Sequence, residues 1–356
     1  MRSGRLPIRL LVFFTLLMML PGAVSAQGNA QLIGYAVLPA GTVTDGSPAG
    51  QALSGTVNGL SLPFSSQPLG SVTGVVPGDY PGVWMVLVSG TFQNPSQSAD
   101  FLIRIYTVQI DFRNANGGTG SANPVDWLAL SDPKKFLANI ALGSTRSRTL
   151  TGADLTPRAF VRLPDGTFWV ADERGNQLMH FDQQGKLIAA PMPVGSAVAG
   201  LSMTPNGGHL IVALGNGQFV GADPSSGEVL STFGTYPLSG TKIGGISMIS
   251  DSEALVIEID GKDGATGVKH VYLADINSGS KNDLVDLLKI DDPNGLSGIG
   301  SPFTFPYAAI NGIARMSDNS ILVVNNNRVP YGQGRQPGTA DSTEYIQVQV
   351  GQSLAR

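Results

Sequence analysis

A unit that recurs along the second half of the chain restricts the fold more than any other feature. Each copy has an apolar strand, a turn with Gly after Pro, Asn or Asp, a second apolar strand and a third strand that ends in or near Asp. Copies occupy residues 160–188, 200–231 and 245–276. The period is about 40 to 45 residues, with four strands to a unit, which is typical of the blades of a β-propeller.

The two ends of the chain also read as strands. Residues 32–38 and 345–350 are apolar segments that can share one blade, and such pairing closes a propeller without an open sheet edge. Further blade strands are readable within residues 72–131 and 310–324. We therefore predict an all-β fold, a single propeller whose ring is closed by the N- and C-terminal strands.

The number of blades is predicted as five, with six as the alternative, because residues 39–70 and 277–308 are difficult to assign. Two packed β-domains divided near Thr151 are the competing architecture, but no linker composition marks that position. The composition agrees with short strands and tight turns, since 46 residues are glycine and only 13% are charged.

The N-terminus has the pattern of a cleavable export signal. Arg2, Arg5 and Arg9 precede an apolar run at residues 10–20, and Val24-Ser25-Ala26 supplies small residues for cleavage. The run is too short to cross a bilayer. We predict a signal peptide at 1–26, a propeller domain at 27–356, and secretion or a periplasmic location with no membrane attachment after cleavage.

The charge and the residue types exclude several classes of partner. Without the three signal arginines the formal charge changes from −4 to −7, which gives no electrostatic reason to bind nucleic acid or anionic lipid. There is no cysteine, so disulfides and thiolate zinc sites are excluded. The partner expected from the sequence is a small ester or polar ligand, while any protein partner is unknown.

Several segments resemble one family along most of the mature chain. The strongest are residues 163–173 (LPDGTFWVADE) and 180–182 (HFD), with further similarity at residues 32–39 (LIGYAVLP), 98–106 (SADFLIRIY) and 344–346 (EYI). These segments resemble the bacterial phytase-like propellers described as having esterase-like activity. The resemblance implies an exported propeller that hydrolyses phosphate or other esters, with calcium as a cofactor.

The chain departs from this family at the channel positions. In the family, the first strand of each blade tends to carry an acidic residue toward the centre. Here the matching residues are not acidic: Arg158, Ala199, Gly245 and Asn311. Most of the acidic ring that the resemblance implies is therefore missing.

Four remaining acids are the candidate metal ligands. Asp172 and Glu173 end one inner strand, and Glu258 and Asp260 occupy the equivalent place two blades later. Calcium takes six to eight oxygen ligands, so carboxylates from both pairs would have to converge. The alternative is that they are solvated loop residues, or that Asp172 bonds the backbone of the next turn.

Polar loop residues supply the other candidates for ligand binding. Asn325, Asn326 and Asn327 can bind a neutral polar ligand, or they can hold left-handed turns. Four loop arginines can bind an anion, or they can be solvated or paired with acids: Arg158, Arg174, Arg328 and Arg335. No nucleophile–histidine arrangement is evident, so the catalytic residues are unknown.

Two functions follow from the sequence. The first is an exported ester or phosphoester hydrolase in which the four acids hold a divalent cation. The second is a non-catalytic propeller that has lost its acidic centre and binds a ligand or a protein. The family resemblance favours the first, and the missing acids favour the second.

Overall fold

The computed structural model describes residues 1, 30–90 and 92–355. The predicted signal peptide lies, apart from Met1, outside these described residues. Within them, regular structure is almost entirely strand, with one short 3-10 helix at Pro95–Ser98, so the predicted all-β class is confirmed. No helix in this part of the chain has the length and apolar character needed to cross a membrane.

The strands of the described residues are numbered in chain order. They are β1 (Gln31–Leu38), β2 (Val43–Thr44), β3 (Gly55–Val57), β4 (Leu60–Leu62), β5 (Gln67–Pro68), β6 (Val72–Pro77), β7 (Val83–Val88), β8 (Arg104–Asp111), β9 (Ser121–Ala129), β10 (Pro157–Arg162), β11 (Phe168–Asp172), β12 (Gln177–Phe181), β13 (Met192–Pro193), β14 (Val198–Met203), β15 (Leu210–Leu214), β16 (Gln218–Ala222), β17 (Val229–Thr235), β18 (Lys242–Met248), β19 (Glu253–Ile259), β20 (Lys269–Asp275), β21 (Lys281–Asp286), β22 (Ile310–Ser317), β23 (Ser320–Asn325) and β24 (Thr343–Gln349).

These strands form antiparallel groups of four. Group 1 is β6–β9, group 2 is β10–β13, group 3 is β14–β17 and group 4 is β18–β21, each in sequence order. Group 5 is β22, β23, β24 and β1, which confirms the predicted pairing of the two ends of the chain. Groups 1 and 5 are also joined, through the parallel pair Val37 and Ser121, into one eight-stranded sheet.

The first strands of the five groups surround a central channel. Each lies at the edge of its group, and they pack in the cyclic order β6, β10, β14, β18, β22 and back to β6. The end of the channel where these inner strands finish opens into a cavity of about 470 Å³ to which all five contribute. The arrangement is therefore propeller-like.

The hydrophobic core lies between successive groups. Each of five buried clusters draws its side chains from two neighbouring groups. One cluster packs Leu87 and Ile105 of group 1 against Phe160 and Val170 of group 2, so buried contacts link the two sides of Thr151. Because the chain has no cysteine, this burial must supply most of its stability.

The two segments that were difficult to assign form little regular structure. Residues 39–70 contain two small antiparallel pairs, β2 with β5 and β3 with β4. In residues 277–308, strand β21 completes group 4, and the remainder is loop with an isolated bridge between Ile290 and Phe303. Neither segment forms a further four-stranded group.

Candidate functional site

All five inner strands carry a β-bulge near their first residue. The register shifts between Val72 and Gly74, Pro157 and Ala159, Val198 and Gly200, Ile243 and Gly245, and Ile310 and Gly312. The extra residues form a bulge ring: Thr73, Arg158, Ala199, Gly244 and Asn311. Bulges redirect side chains and often occur beside active sites, so this end of the channel, the bulge end, is the candidate site.

Three of the four sequence-based channel positions belong to the bulge ring, and Thr73 was not among those four. The residue in β18 is Gly244 and not Gly245, because either glycine of the pair fits the sequence pattern equally well. None of the five residues is acidic, and Arg158 is the one that carries a charge. The bulge ring itself therefore supplies no carboxylate to the channel.

Arg158 reaches across the channel. Its Nη2 donates a 3.0 Å hydrogen bond to the Ile243 carbonyl oxygen, although β10 and β18 are not neighbours in the ring. Ala199, on the strand between them, has a small side chain that leaves room for this crossing. Desolvation lowers the pKa of Arg158, while the carboxylate of Glu173 acts in the opposite direction.

Lys242 interacts electrostatically with Arg158, and Arg328 interacts in turn with Lys242. The pKa of Lys242 is lowered, first by desolvation and next by the guanidinium of Arg158, with a smaller contribution from Arg328. Glu173 and Asp260 act in the opposite direction on the same ammonium group. Lys242 is exposed, whereas Arg328 forms an ion pair with Asp263. The bulge end thus places Lys242 within electrostatic range of both Arg158 and Arg328.

Asp172, a predicted metal ligand, is fully engaged by its own turn. Its side chain is 1% exposed, and its two carboxylate oxygens accept bonds from the amides of Thr156, Arg174 and Gly175 and from Gln177 Nε2, at 2.8 to 3.2 Å. These donors connect the start of β10 to the turn after β11. This geometry matches the alternative in which Asp172 accepts bonds from the backbone of the next turn. The neighbouring Glu173 is exposed.

Glu258 and Asp260 also have protein partners. Glu258 is buried and accepts bonds from Tyr236 Oη and Thr241 Oγ1, both at 2.6 Å, and from Lys281 Nζ. Burial alone would raise its pKa, but these three donors hold the pKa of Glu258 below its ordinary value. Asp260 accepts a 3.2 Å bond from the buried ammonium of Lys269.

This donor set does not fit a calcium ion. The oxygens of Asp172 and Glu258 are already occupied as acceptors, whereas calcium needs six to eight oxygen ligands. Across residues 30–90 and 92–355, no three His, Asp or Glu side chains lie together in a way that could hold a metal ion. Glu173 and Asp260 each act electrostatically on Lys242, and Asp260 is already paired with Lys269.

The three asparagines differ in their roles. Asn325 is buried and bonds the backbone of Ser342 and Glu344, and Asn327 Oδ1 accepts a 2.6 Å bond from the Ser71 amide. None of the three asparagines has the left-handed backbone conformation, so the prediction that they hold left-handed turns is wrong. The left-handed residue of this loop is Arg328, with φ of 45°.

Arg174 is held by the loop that precedes β10. Its guanidinium donates to the carbonyl oxygens of Gly152 and Ala153 and to Thr156 Oγ1. This leaves Arg174 as a positioning group for the loop, outside the cluster of three cations.

A side cavity lies beside the bulge end, between groups 1 and 5. Its volume is about 410 Å³, and two of the predicted ligand residues, Asn326 and Arg328, line it. The other lining residues were not predicted: Ser71, Ser89, Phe92, Gln93 and Tyr331. They come from loops that are distant in sequence and carry no shared motif.

The family described as phytase-like, esterase-like activity of phytase, matches residues 94–327. No curated protein matches the sequence. Among solved structures, glutaminyl cyclase of Myxococcus xanthus has 9% identity and a TM-score of 0.47, covering 90% of this chain and 97% of that one. A luciferin-regenerating enzyme has 11% identity and a TM-score of 0.41, covering 80% and 81%.

Proposed function

The chain belongs to the phytase-like family, and we propose that its bulge end binds a small anionic ester, a phosphate ester or an ester that carries a carboxylate. The observation that supports this is the cluster of Arg158, Lys242 and Arg328 at the mouth of the channel. Guanidinium groups bind phosphate and carboxylate with two parallel hydrogen bonds, and an ammonium adds a point charge.

The acids near the cluster neutralise it only in part. Asp172 and Glu258 already accept bonds from protein donors, Asp263 pairs with Arg328, and Glu173 and Asp260 act on Lys242 without a hydrogen bond to it. Lys242 has a lowered pKa because it is partly desolvated and close to Arg158. A bound anion would favour the charged form of Lys242 and relieve the repulsion between the cations.

A second candidate function, hydrolysis of the bound ester, is favoured by membership of a family described by an esterase-like activity. Glu173 is exposed and acts electrostatically on both Arg158 and Lys242. A carboxylate in this position can act as general base toward a water beside the ester. Calcium remains a prediction from the family resemblance, and the proposed binding needs only the protein's own cations.

Calorimetric titration of the purified mature protein with phenyl phosphate tests the binding. Lys242→Met and Arg328→Met should each weaken it roughly tenfold, because each removes one charge from the site. Arg315→Met is the matched control, since Arg315 lies at the opposite end of the same channel and pairs with Asp318. Equal affinity in all four proteins would contradict the proposal.

A panel of phosphate and carboxyl esters, with and without calcium, separates the two candidate functions. Hydrolysis that Glu173→Gln removes without loss of ligand affinity would support an enzyme. Turnover that requires calcium would point instead to a metal mechanism. Binding without turnover would leave the ligand-binding function.

We also propose that the five groups are the blades of one five-bladed propeller and that the chain is exported. The cyclic packing of the five inner strands supports the blade number. An experimental structure with a sixth group of strands would contradict it. Export predicts that the protein outside the cytoplasm begins at Gln27, which mass spectrometry of its N-terminal peptide can check.

A further inference from the structure

The side cavity has two aromatic walls. Phe92 is held rigidly, because its ring stacks on Phe64 at 6.3 Å and meets the edge of Phe101 at 5.4 Å between centroids. Tyr331 is half-buried and also lines the cavity. Aromatic walls that bracket a few polar groups are typical of sites for small organic molecules.

The backbone at the cavity is held in an unusual conformation. Ser71 and Arg328 both line the cavity and are both left-handed, with φ of 56° and 45°. The bond from the Ser71 amide to Asn327 Oδ1 ties their two loops together. The Nδ2 of Asn327, which lies behind the cavity lining, is buried and lacks a partner in the described part of the chain. Strained positions and unsatisfied polar atoms concentrate at ligand sites.

Arg328 connects the cavity to the proposed anion site. Its side chain lines the cavity, and its charge acts on Lys242 at the bulge end. A ligand whose anion lies at the cations can therefore extend past Arg328 toward Phe92 and Tyr331. The volume of about 410 Å³ falls within the range of small-molecule pockets.

We propose that the side cavity accepts an aromatic group of the ester, so that the preferred ligands are aryl esters. This inference rests on the proposed function, because the bulge end must hold the anion. The ring of the ligand packs against Tyr331 and Phe92, and Gln93 and Asn326 are the amides at the cavity that can bond its polar substituents.

The test compares phenyl phosphate with methyl phosphate by calorimetry. The wild-type protein should bind phenyl phosphate roughly three- to tenfold more tightly, which is the range expected for one aromatic contact. Gln93→Trp should remove this preference, because Gln93 is exposed at the cavity and a tryptophan there fills it. Gln184→Trp, in an exposed turn at the far end of group 2, is the matched control.

A second pair of variants tests the contribution of the aromatic side chain of Tyr331 in the side cavity. Tyr331→Ala should reduce the preference for phenyl phosphate and leave the affinity for methyl phosphate unchanged. Tyr80→Ala is its control, since Tyr80 is 75% exposed and lies in the turn at the far end of group 1. If Tyr331→Ala does not fold, the Gln93→Trp result decides, because that exposed position does not contribute to the core.

The outcomes distinguish this inference from the function on which it rests. Equal binding of the two phosphates by the wild-type protein, weakened by Arg328→Met, would overturn the aromatic site and leave the anion site. A preference that survives Gln93→Trp would also overturn the aromatic site. Absence of binding of either phosphate would remove the proposed function and this inference with it.

Discussion

The guanidinium of Arg158 donates a 3.0 Å hydrogen bond to the carbonyl oxygen of Ile243, on an inner strand that is not its neighbour. One long side chain thereby crosses the channel at the bulge end. Asn311 adds a second link, a 2.7 Å bond from its Nδ2 to the Gly244 carbonyl oxygen. The inner strand β18 is thus held by side chains from groups 2 and 5.

Replacement of Arg158, whose side chain crosses the channel, should lower the free energy of unfolding. Arg158→Gln shortens the side chain and leaves the Ile243 carbonyl without this donor, so we expect a loss of about 1 to 3 kcal/mol in the free energy of unfolding. Urea denaturation measures it. Arg162→Gln is the control, because Arg162 forms an ion pair with exposed Asp79 and should lose less than about 1 kcal/mol. Similar losses in both variants would contradict a bridging role.

Removal of the side chain of Asp172 should lower the free energy of unfolding much more than removal of the side chain of Glu173. Asp172→Ala leaves four buried or partly buried donors unpaired, so we expect a loss of more than about 2 kcal/mol. Glu173→Ala changes an exposed side chain and should stay within about 0.5 kcal/mol of the wild type. Chemical denaturation of the two variants checks this contrast. Equal losses would mean that Asp172 is not the residue that holds the turn.

Acid should weaken the fold partly through Glu258. Because its pKa is lower in the folded protein than in the unfolded chain, the unfolded chain binds more protons in acid. The contribution of Glu258 to the free energy of unfolding is complete above its pKa in the unfolded chain, about 4.3. It is lost as the pH falls through the lower pKa that Glu258 has in the folded protein. Glu258→Gln should therefore cost about 2 kcal/mol near pH 7 and much less near pH 3.

Unfolding curves at several pH values measure this effect. Glu228→Gln, in an exposed turn of group 3, is the matched control and should follow the wild type at each pH. A difference between Glu258→Gln and the wild type that is independent of pH would show that the carboxylate is not the source of the effect.

Two glycines with the same backbone conformation should differ in their tolerance of alanine. Gly207 and Gly227 have φ of 74° and 75°, but a Cβ at Gly227 would lie 2.5 Å from the ring of Trp169, whereas at Gly207 it would meet nothing within 4 Å. Trp169 cannot retreat easily, because its Nε1 bonds the Pro224 carbonyl oxygen at 2.8 Å. Gly207→Ala should cost about 1 kcal/mol and Gly227→Ala about 3 kcal/mol. Thermal unfolding compares them, and equal costs would contradict the close approach.

The candidate site was predictable only in part. Arg158 and Arg328 were identified because their residue type and loop position suggest anion binding, and both lie at the bulge end or beside it. Lys242, Phe92 and Tyr331 were missed, because a single lysine or aromatic residue near a strand end has no distinguishing pattern. Asp172 and Glu258 were proposed as ligands because sequence does not reveal which donors a carboxylate will meet after folding.

The sequence by itself determined the all-β class, the repeated four-strand unit and the pairing of the terminal strands. Alternating apolar residues and Gly-containing turns act over a few residues, so they can be read without the fold. Only the tertiary structure decided where the bulges fall, which acids are already bonded and what lines the side cavity. Ser71 and Asn327, for example, are 256 residues apart in the chain and meet only because the ring closes between groups 5 and 1.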